Sequence, residues 1–175
     1  MGREIRMVPA NWEHPKAMRH WGKEDYQPMF DRTFESAVSE WKAGLAKWEA
    51  GERPSYFDAA DYPNGIEYWE WEGAPPERAY YRPWSDDEAV WFQVWETVSE
   101  GTPVSPPFAT KEELVDYLVT NGDFWDQKRG DGGWSRKAAE SFVGLGWAPS
   151  MMVVNSAAGN QIIEPRDGMP IGGAA

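Results

Sequence analysis

The stretch AVWFQVWETV, residues 89–98, decides how this chain folds. Its apolar side chains alternate: Phe92 and Val94 have one parity, and Trp91 and Trp95 have the other. Successive side chains of a strand point to opposite faces of a sheet, and branched and aromatic residues favour strands. The pattern therefore predicts a strand with large side chains on both faces, one packed in the core and the other covered by a loop or a partner.

Further strands are predicted on both sides of this one. Residues 3–8 and 65–72 carry apolar side chains at alternating positions. Residues 79–84 are a weaker candidate, because Pro83 restricts such a strand to a sheet edge or a strand end. Residues 151–163 predict a hairpin, since two apolar runs are separated there by a turn.

Residues 33–50 show the clearest helical pattern in the chain. One apolar stripe recurs at spacings of three and four residues and consists of Phe34, Val38, Trp41, Leu45 and Trp48. Thr33 is suited to cap the start of this helix. A second helix is predicted after the capping box formed by Thr110 and Glu113, and a third begins after Ser135.

These elements predict an α+β fold, in which an antiparallel sheet of about five or six short strands carries about three helices on one side. Residues 1–168 are expected to form a single domain, because 175 residues fit one domain with tails. Residues 9–32 contain three prolines and no sustained periodicity, which favours an irregular loop. Residues 169–175 are expected to be a mobile tail.

The charge of the chain is concentrated in its middle. The formal net charge is −12, and residues 55–100 contain 11 acidic residues against two basic ones. Proteins that bind nucleic acids directly need lysine and arginine for the phosphates, so this charge argues against such binding. It favours a basic partner, or it keeps the protein soluble. No run of 18 apolar residues exists, and the N-terminus has no secretory pattern, so we expect no membrane span.

Few residues in the chain are suited to catalysis or to metal binding. Cysteine is absent, which excludes disulfides, thiolate metal sites and cysteine nucleophiles. His14 and His20 are the two histidines, and without cysteines they cannot complete the common Cys₂His₂ zinc pattern. A Ser/His/Asp triad would have to use one of them, and both fall in the predicted loop. We therefore expect no metal, no cofactor and no catalytic residues.

One enzymatic alternative uses the stretch IEYWEWEG, residues 66–73. On a strand, Glu70 and Glu72 would lie on one face within roughly 7 Å of each other, as the two carboxylates of a glycoside hydrolase do. The same alternation places Trp69 and Trp71 on the opposite face, which weakens the idea because a glycan site needs acids and aromatics together. A glycan-binding protein or hydrolase using Glu70 and Glu72 is therefore the third hypothesis.

The acidic segment predicts a docking surface for a basic protein. If its carboxylates share one face, they would form a negative patch in which aromatic side chains provide anchors. The alternative is an acidic surface that only interacts with solvent. The predicted binding residues are Glu67, Glu70, Glu72, Glu77, Trp84, Asp86, Asp87, Glu88, Glu96 and Glu100.

Several motifs resemble a family of small proteins encoded by bacteriophages and prophages. The most specific part is WFQVWETVSEGTPVSPPFATKEELVDYLVTNGDFWDQ, residues 91–127, followed by GGWSRKAAESFVGLGWAPSMMVVN and EPRDG. VPANWEHP near the start and RAYYRPW, residues 78–84, are similar as well. The resemblance covers nearly the whole chain and carries no catalytic residue with it. It implies a phage accessory or morphogenesis protein.

Together, these observations predict a non-enzymatic phage protein that binds another protein in the cytoplasm of the infected bacterium. The expected partner is a basic protein surface, such as that of a host nucleic-acid-binding complex. Inhibition of a host defence, in the manner of anti-CRISPR or anti-restriction proteins, follows by analogy with other small acidic phage proteins. The second hypothesis is a structural or assembly component of the virion.

Overall fold

The computed structural model of the protein describes residues 2–18, 22–98, 100–149, 152–156, 159–163 and 166. The chain forms two compact units: unit 1 comprises Met1–Met29 and Trp84–Ala175, and unit 2 comprises Phe30–Pro83. Each unit has buried side chains of its own. The single domain over 1–168 stays a prediction, and the tail 169–175 lies outside the described residues.

Ten strands and five α-helices lie within the described residues, which confirms the α+β class. The strands are β1 (Arg3–Val8), β2 (Lys16–Met18), β3 (Glu24–Tyr26), β4 (Phe30–Thr33), β5 (Tyr81–Arg82), β6 (Trp91–Glu96), β7 (Thr102–Pro103), β8 (Trp147–Ala148), β9 (Met152–Ser156) and β10 (Gly159–Ile163). The helices are α1 (Phe34–Glu49), α2 (Tyr68–Glu72), α3 (Lys111–Asn121), α4 (Phe124–Arg129) and α5 (Arg136–Leu145). No helix among these residues is both long and apolar enough to cross a bilayer.

The sheet of unit 1 is built around the opening stretch of sequence. It has four antiparallel strands in the order β7-β6-β1-β8, and β1 pairs with β6 along its full length, from Arg3 opposite Glu96 to Val8 opposite Trp91. The predicted strands at 3–8 and within 89–98 are therefore confirmed. The predicted hairpin at 151–163 is confirmed as the antiparallel pair β9 and β10.

The two faces of β6 pack as its alternation predicts. Val94 lies in a core cluster with side chains of α3 and α5, among them Leu114, Leu118 and Phe142. Trp95, on the other face, is fully buried in a second cluster with Val8, Met29 and Trp84. The segment before β2 covers this second face, since Trp12 packs against the same cluster. A loop of the chain itself therefore covers the second face.

The predicted helices in this unit begin where their caps indicate. Thr110 caps α3 through a reciprocal pair of hydrogen bonds with Glu113. The Ser135 side chain accepts a hydrogen bond from the Ala138 N–H at the start of α5. The helix α4 is missing from the predicted elements, because its six residues are too few to show a helical period. Asp123 caps it, accepting hydrogen bonds from the N–H groups of Trp125 and Asp126.

Unit 2 is organised around α1, the helix with the clearest sequence pattern. Thr33 caps its start by accepting a hydrogen bond from the Ser36 N–H, as predicted. The strands β4 and β5 form a parallel pair within this unit. The predicted strand 79–84 is mostly wrong: a turn of 3-10 helix occupies Arg78–Tyr80, and only Tyr81–Arg82 are extended.

Two other predictions need correction. Residues 65–72 do not form a strand; they contain the helix α2. The segment 9–32 is less irregular than expected, because β2 and β3 form an antiparallel pair within it and β4 begins at Phe30. These strands have three or four residues, too few for a two-residue period to be recognised.

Candidate functional site

The helix α2 begins with a capping interaction between glutamates. The Glu67 N–H donates a hydrogen bond to the Glu70 carboxylate at 3.0 Å. The Glu70 N–H in turn donates a hydrogen bond to the Glu67 carbonyl at 3.1 Å. Such a reciprocal pair satisfies N–H groups that a helix start leaves without partners. The alternation of YWEWE resembles a strand, but this cap and the packing of its aromatic rings stabilise a helical turn instead.

Trp71 of α2 is the centre of an aromatic cluster. The centroids of Tyr56, Phe57, Tyr62 and Trp48 all lie within 6.0 Å of its ring centroid. Trp48 belongs to α1, whereas the other three belong to the loop that precedes α2. Because aromatic pairs at such distances are favourable, the cluster holds this loop and α2 together on α1.

Tyr68 connects the same helix to the middle of α1. Its side chain is only 8 % exposed, and a Cβ added at Gly44 would lie 1.9 Å from its hydroxyl oxygen. Glycine is therefore required at position 44 for the phenol to approach the helix this closely. Burial raises the pKa of Tyr68, and the nearby Glu72 carboxylate raises it further.

A pocket of about 370 Å³ lies between α1 and α2. Its apolar lining comes from Trp48, Tyr68 and Trp71, and its charged lining from Lys47, Glu52, Arg53 and Glu72. The Arg53 guanidinium carbon lies 3.7 Å from the centroid of the Trp48 ring, so the chain's own cation covers that face. The lining of the pocket therefore carries both charges, and the Arg53 side chain already covers one of its aromatic faces.

The acidic residues of the segment 55–77 are a more distinctive feature of unit 2 than this pocket. Residues 55–77 contain six acidic residues and no lysine or arginine, and all six acidic residues are exposed: Asp58, Asp61, Glu67, Glu70, Glu72 and Glu77. Within the described part of the chain, none of the six forms an ion pair. Other acids of this unit do, since Asp31, Glu35 and Glu40 each pair with an arginine.

Two large aromatic side chains are exposed among these carboxylates. Tyr56 is 77 % exposed and Trp69 is 56 % exposed. Tyr56 stacks on Trp71, and Trp69 lies two residues before Trp71 on α2. We call the exposed side chains of these two residues and of the six acidic residues of 55–77 the acidic aromatic surface. They share a segment of the chain and not one face of α2, because residues two apart on a helix point about 160° apart. Four predicted site residues belong to this surface: Glu67, Glu70, Glu72 and Glu77.

The helix removes the geometric basis of the hydrolase hypothesis. Successive residues of an α-helix are rotated by about 100°, so Glu70 and Glu72 point in directions about 160° apart rather than to one face. The Glu70 carboxylate also accepts the capping hydrogen bond from Glu67. The expectation that these two carboxylates share one face is therefore wrong.

The acidic residues that follow Trp84 form a separate cluster in unit 1. Glu88 accepts hydrogen bonds from the Ser85 N–H at 2.8 Å and the Ser85 hydroxyl at 2.7 Å, and these bonds lower the pKa of Glu88. A hydrogen bond from the Ser85 side chain likewise lowers the pKa of Asp87. Asp86, Asp87 and Glu88 are all exposed. A continuous patch over 55–100 stays a prediction, because that segment is divided between the two units.

The remaining predicted site residues are less available to a partner. Trp84 is 4 % exposed and packs on Trp12 at a centroid distance of 4.4 Å, so placing it on a binding surface was wrong. Glu96 is half-buried, and its carboxylate accepts hydrogen bonds from the Trp125 indole and the Thr102 hydroxyl. Glu100 is half-buried too, and its carbonyl accepts a hydrogen bond from Arg6.

Among the described residues, His14 takes part in no recognisable metal site. His14 packs between Trp12, Tyr26 and Trp95, and His20 lies outside the described residues. Among the residues that are described, no three His, Cys, Asp or Glu side chains are grouped so that they could hold a metal ion.

Asp58, Asp61 and Trp69 were not among the predicted binding residues, and Tyr56 was missed as well. It lies in a loop with no periodicity, and the acidic block was the available indication that its surroundings matter. Comparisons of the chain with protein-family models, curated proteins and solved structures found no match.

Proposed function

We propose that this protein acts without catalysis, by binding the basic surface of another protein through the acidic aromatic surface of unit 2. The observation that carries the proposal is the set of six exposed carboxylates with no ion pair in the described part of the chain, in the same segment as the exposed side chains of Tyr56 and Trp69. Carboxylates without an intramolecular ion pair remain available to the cations of another molecule.

The physical roles of the two residue types differ. Exposed charges accelerate and orient association but add little affinity each, about 0.2–1 kcal/mol for an exposed pair. Large aromatic side chains supply affinity when a partner covers them, and losing one costs about 2 kcal/mol or more at an interface centre. Trp69 and Tyr56 would be the anchors, and the carboxylates would select a basic partner.

The charge pattern also indicates the class of partner. Proteins that handle nucleic acids carry lysine and arginine arranged to contact phosphates. Exposed carboxylates compete with the phosphates of a nucleic acid for these lysines and arginines. With the resemblance to phage-encoded proteins, this favours an inhibitor of a host defence or other nucleic-acid-binding complex, acting in the infected bacterium.

The test compares two variants that change net charge equally. In the first, Glu72→Lys and Glu77→Lys reverse carboxylates of the acidic aromatic surface that do not cap α2. In the second, the control, Glu13→Lys and Glu49→Lys reverse exposed carboxylates outside that surface. Tagged proteins are used to capture partners from a bacterial lysate, and each captured protein is then purified and titrated.

We expect the first variant to bind the purified partner roughly tenfold more weakly or worse, and the control to match the wild type. The partner should also release a labelled DNA duplex when the wild-type protein is added. Equal binding by both variants would contradict the proposal. Stoichiometric presence of the protein in purified phage particles, with no captured partner, would support the virion hypothesis instead.

A further inference from the structure

Unit 1 contains a groove whose lining residues are distant in sequence from the acidic aromatic surface. It consists of two adjoining pockets, of about 490 and about 140 Å³. Four residues line both pockets: Tyr26, Pro103, Val104 and Phe124. The strand pair β2–β3 and the helix α4 contribute to its walls, and β7 to its floor. We call this the Tyr26/Phe124 groove.

The lining of the groove is rich in aromatic rings and prolines. The larger pocket adds Trp125 and Pro28, and the smaller one adds Tyr117 and Pro106. The rings of Phe124 and Trp125 meet at 78° with centroids 5.1 Å apart, which forms a notch with two perpendicular walls. Phe124 is 49 % exposed, so this aromatic wall is open to a partner.

The floor of the groove is unsuited to pairing with an added strand. The strand β7 is at the edge of its sheet, but Pro103 has no N–H to donate. The neighbouring Val104 N–H donates to the Val94 carbonyl, and the Val104 carbonyl accepts a hydrogen bond from the Phe124 N–H. The main-chain ladder on which strand addition depends is therefore interrupted here.

We propose that the Tyr26/Phe124 groove binds an extended proline-rich segment of a partner protein, in the polyproline II conformation. This conformation has no internal hydrogen bonds and needs no ladder from its receptor. The proline rings of such a segment pack into notches between aromatic side chains. Because the polyproline II helix is already formed before binding, the segment loses little conformational entropy when it binds. Two adjoining pockets that share an aromatic boundary fit successive turns of such a segment.

Charge at the larger pocket favours a basic residue in the bound segment. Its charged lining consists of three acidic residues, Glu24, Asp25 and Glu96, and two basic residues, Lys16 and Lys128. The Lys128 ammonium lies 4.9 Å from the Trp125 ring centroid. The Glu96 carboxylate accepts its hydrogen bonds from uncharged groups, the Thr102 hydroxyl and the Trp125 indole, so these bonds do not neutralise its charge. Three carboxylates against two ammonium groups favour lysine or arginine next to the prolines.

The experiment titrates fluorescent ten-residue peptides into the full-length protein and follows anisotropy. The probe has eight prolines followed by two arginines. Comparison peptides replace alternate prolines with alanine, or the two arginines with glutamates. The protein variants are Phe124→Ala and, as a matched control, Trp147→Ala, which removes another half-exposed ring of unit 1 at 53 % exposure.

We expect the proline–arginine peptide to bind, Phe124→Ala to weaken it at least tenfold, and Trp147→Ala to leave it unchanged. Circular dichroism of both variants confirms that they fold. No binding, or equal binding to Phe124→Ala, would overturn the groove assignment. If the alanine-substituted peptide bound equally well, the assignment of a polyproline II ligand would be overturned. If the glutamate peptide bound equally well, the preference for a basic residue in the ligand would be overturned. Reversing Glu72 and Glu77 tests the proposed function separately, since neither lines this groove.

Discussion

At the scale of single residues, His14 is a titratable side chain with aromatic rings on several sides, those of Trp12, Tyr26 and Trp95. The Trp12 indole donates to its Nδ1 at 3.3 Å, and its Nε2 lies 2.6 Å from the Gln27 carbonyl, which requires a proton on Nε2. The neutral ring thus satisfies both neighbours. Burial lowers the pKa of His14, the Gln27 carbonyl opposes that effect, and the charge of Arg6 adds to it.

This environment predicts a pH-dependent stability. Above the ordinary histidine pKa of 6.5, His14 is neutral in the folded and the unfolded chain alike. As the pH falls below that value, the unfolded chain takes up the proton first, so the free energy of unfolding decreases until the pH reaches the lower pKa of the folded state. For one proton, the slope cannot exceed about 1.4 kcal/mol per pH unit.

Urea unfolding at several pH values between 7.5 and 5.5 measures this slope. The decrease should be smaller in His14→Gln than in the wild type, whatever the stability of the variant at pH 7.5. His20→Gln is the matched control, because it removes the other histidine and should retain the His14 contribution. A His14→Gln protein with the full wild-type slope would show that His14 is not the group responsible.

At the scale of secondary-structure elements, a buried polar network joins β1, α4 and the loop before α5. The Asp126 carboxylate accepts hydrogen bonds from the Asp123 N–H and, at 2.6 Å, from the Trp134 indole. Arg3 of β1 pairs with Asp123, and both side chains are buried. Arg129 donates to Asp126 from the end of α4. These polar groups therefore depend on one another for their partners.

Replacing Asp126 by alanine should be strongly destabilising. The substitution leaves the Trp134 indole and the Asp123 N–H without an acceptor inside the protein, and such breaks in buried charged networks cost about 3–5 kcal/mol. Asp131→Ala is the control, because its exposed carboxylate also pairs with Arg129 and exposed pairs contribute about 0–1 kcal/mol. Denaturant unfolding followed by tryptophan fluorescence measures both, and equal losses would refute the network's importance.

The elements that the sequence predicts are those whose periodicity extends over several turns or residues. The six residues of β6 alternate, and the sixteen of α1 repeat an apolar stripe over four turns. The helices α2 and α4 have five and six residues, so no helical period can be recognised in them. Both begin with an acid three residues before another acid, a pattern typical of a capping interaction.

The same limit applies to the candidate site. The acidic block could be located from composition alone, since it requires only counting charges. Which acids are paired, and which aromatics are exposed, depends on contacts between residues distant in sequence. The burial of Trp84 against Trp12 and the contact of Tyr68 with Gly44 are contacts of this kind, and no local pattern indicates them.

At the scale of the whole molecule, the dominant property is a net charge of −12 at neutral pH. Like charges on a compact chain repel one another, and unfolding relieves the repulsion by increasing their separation. Added salt screens such repulsion, since the Debye length falls from about 30 Å at 0.01 M to about 10 Å at 0.1 M. The carboxylates of 55–77 should be a main source of the repulsion, because none of them forms an ion pair within the described part of the chain.

Salt should therefore stabilise this protein. If screening contributes about 1 kcal/mol, raising NaCl from 0.01 to 0.1 M should increase the melting temperature by about 2–4 °C for a chain of this size. The Glu72→Lys/Glu77→Lys and Glu13→Lys/Glu49→Lys variants both have a net charge of −8, since each substitution adds two charges. The first should show the smaller increase, because it reverses charge where compensation is lacking. An equal increase in both would mean that total charge alone decides the response, and a melting temperature that falls with salt would mean that ion pairs outweigh repulsion.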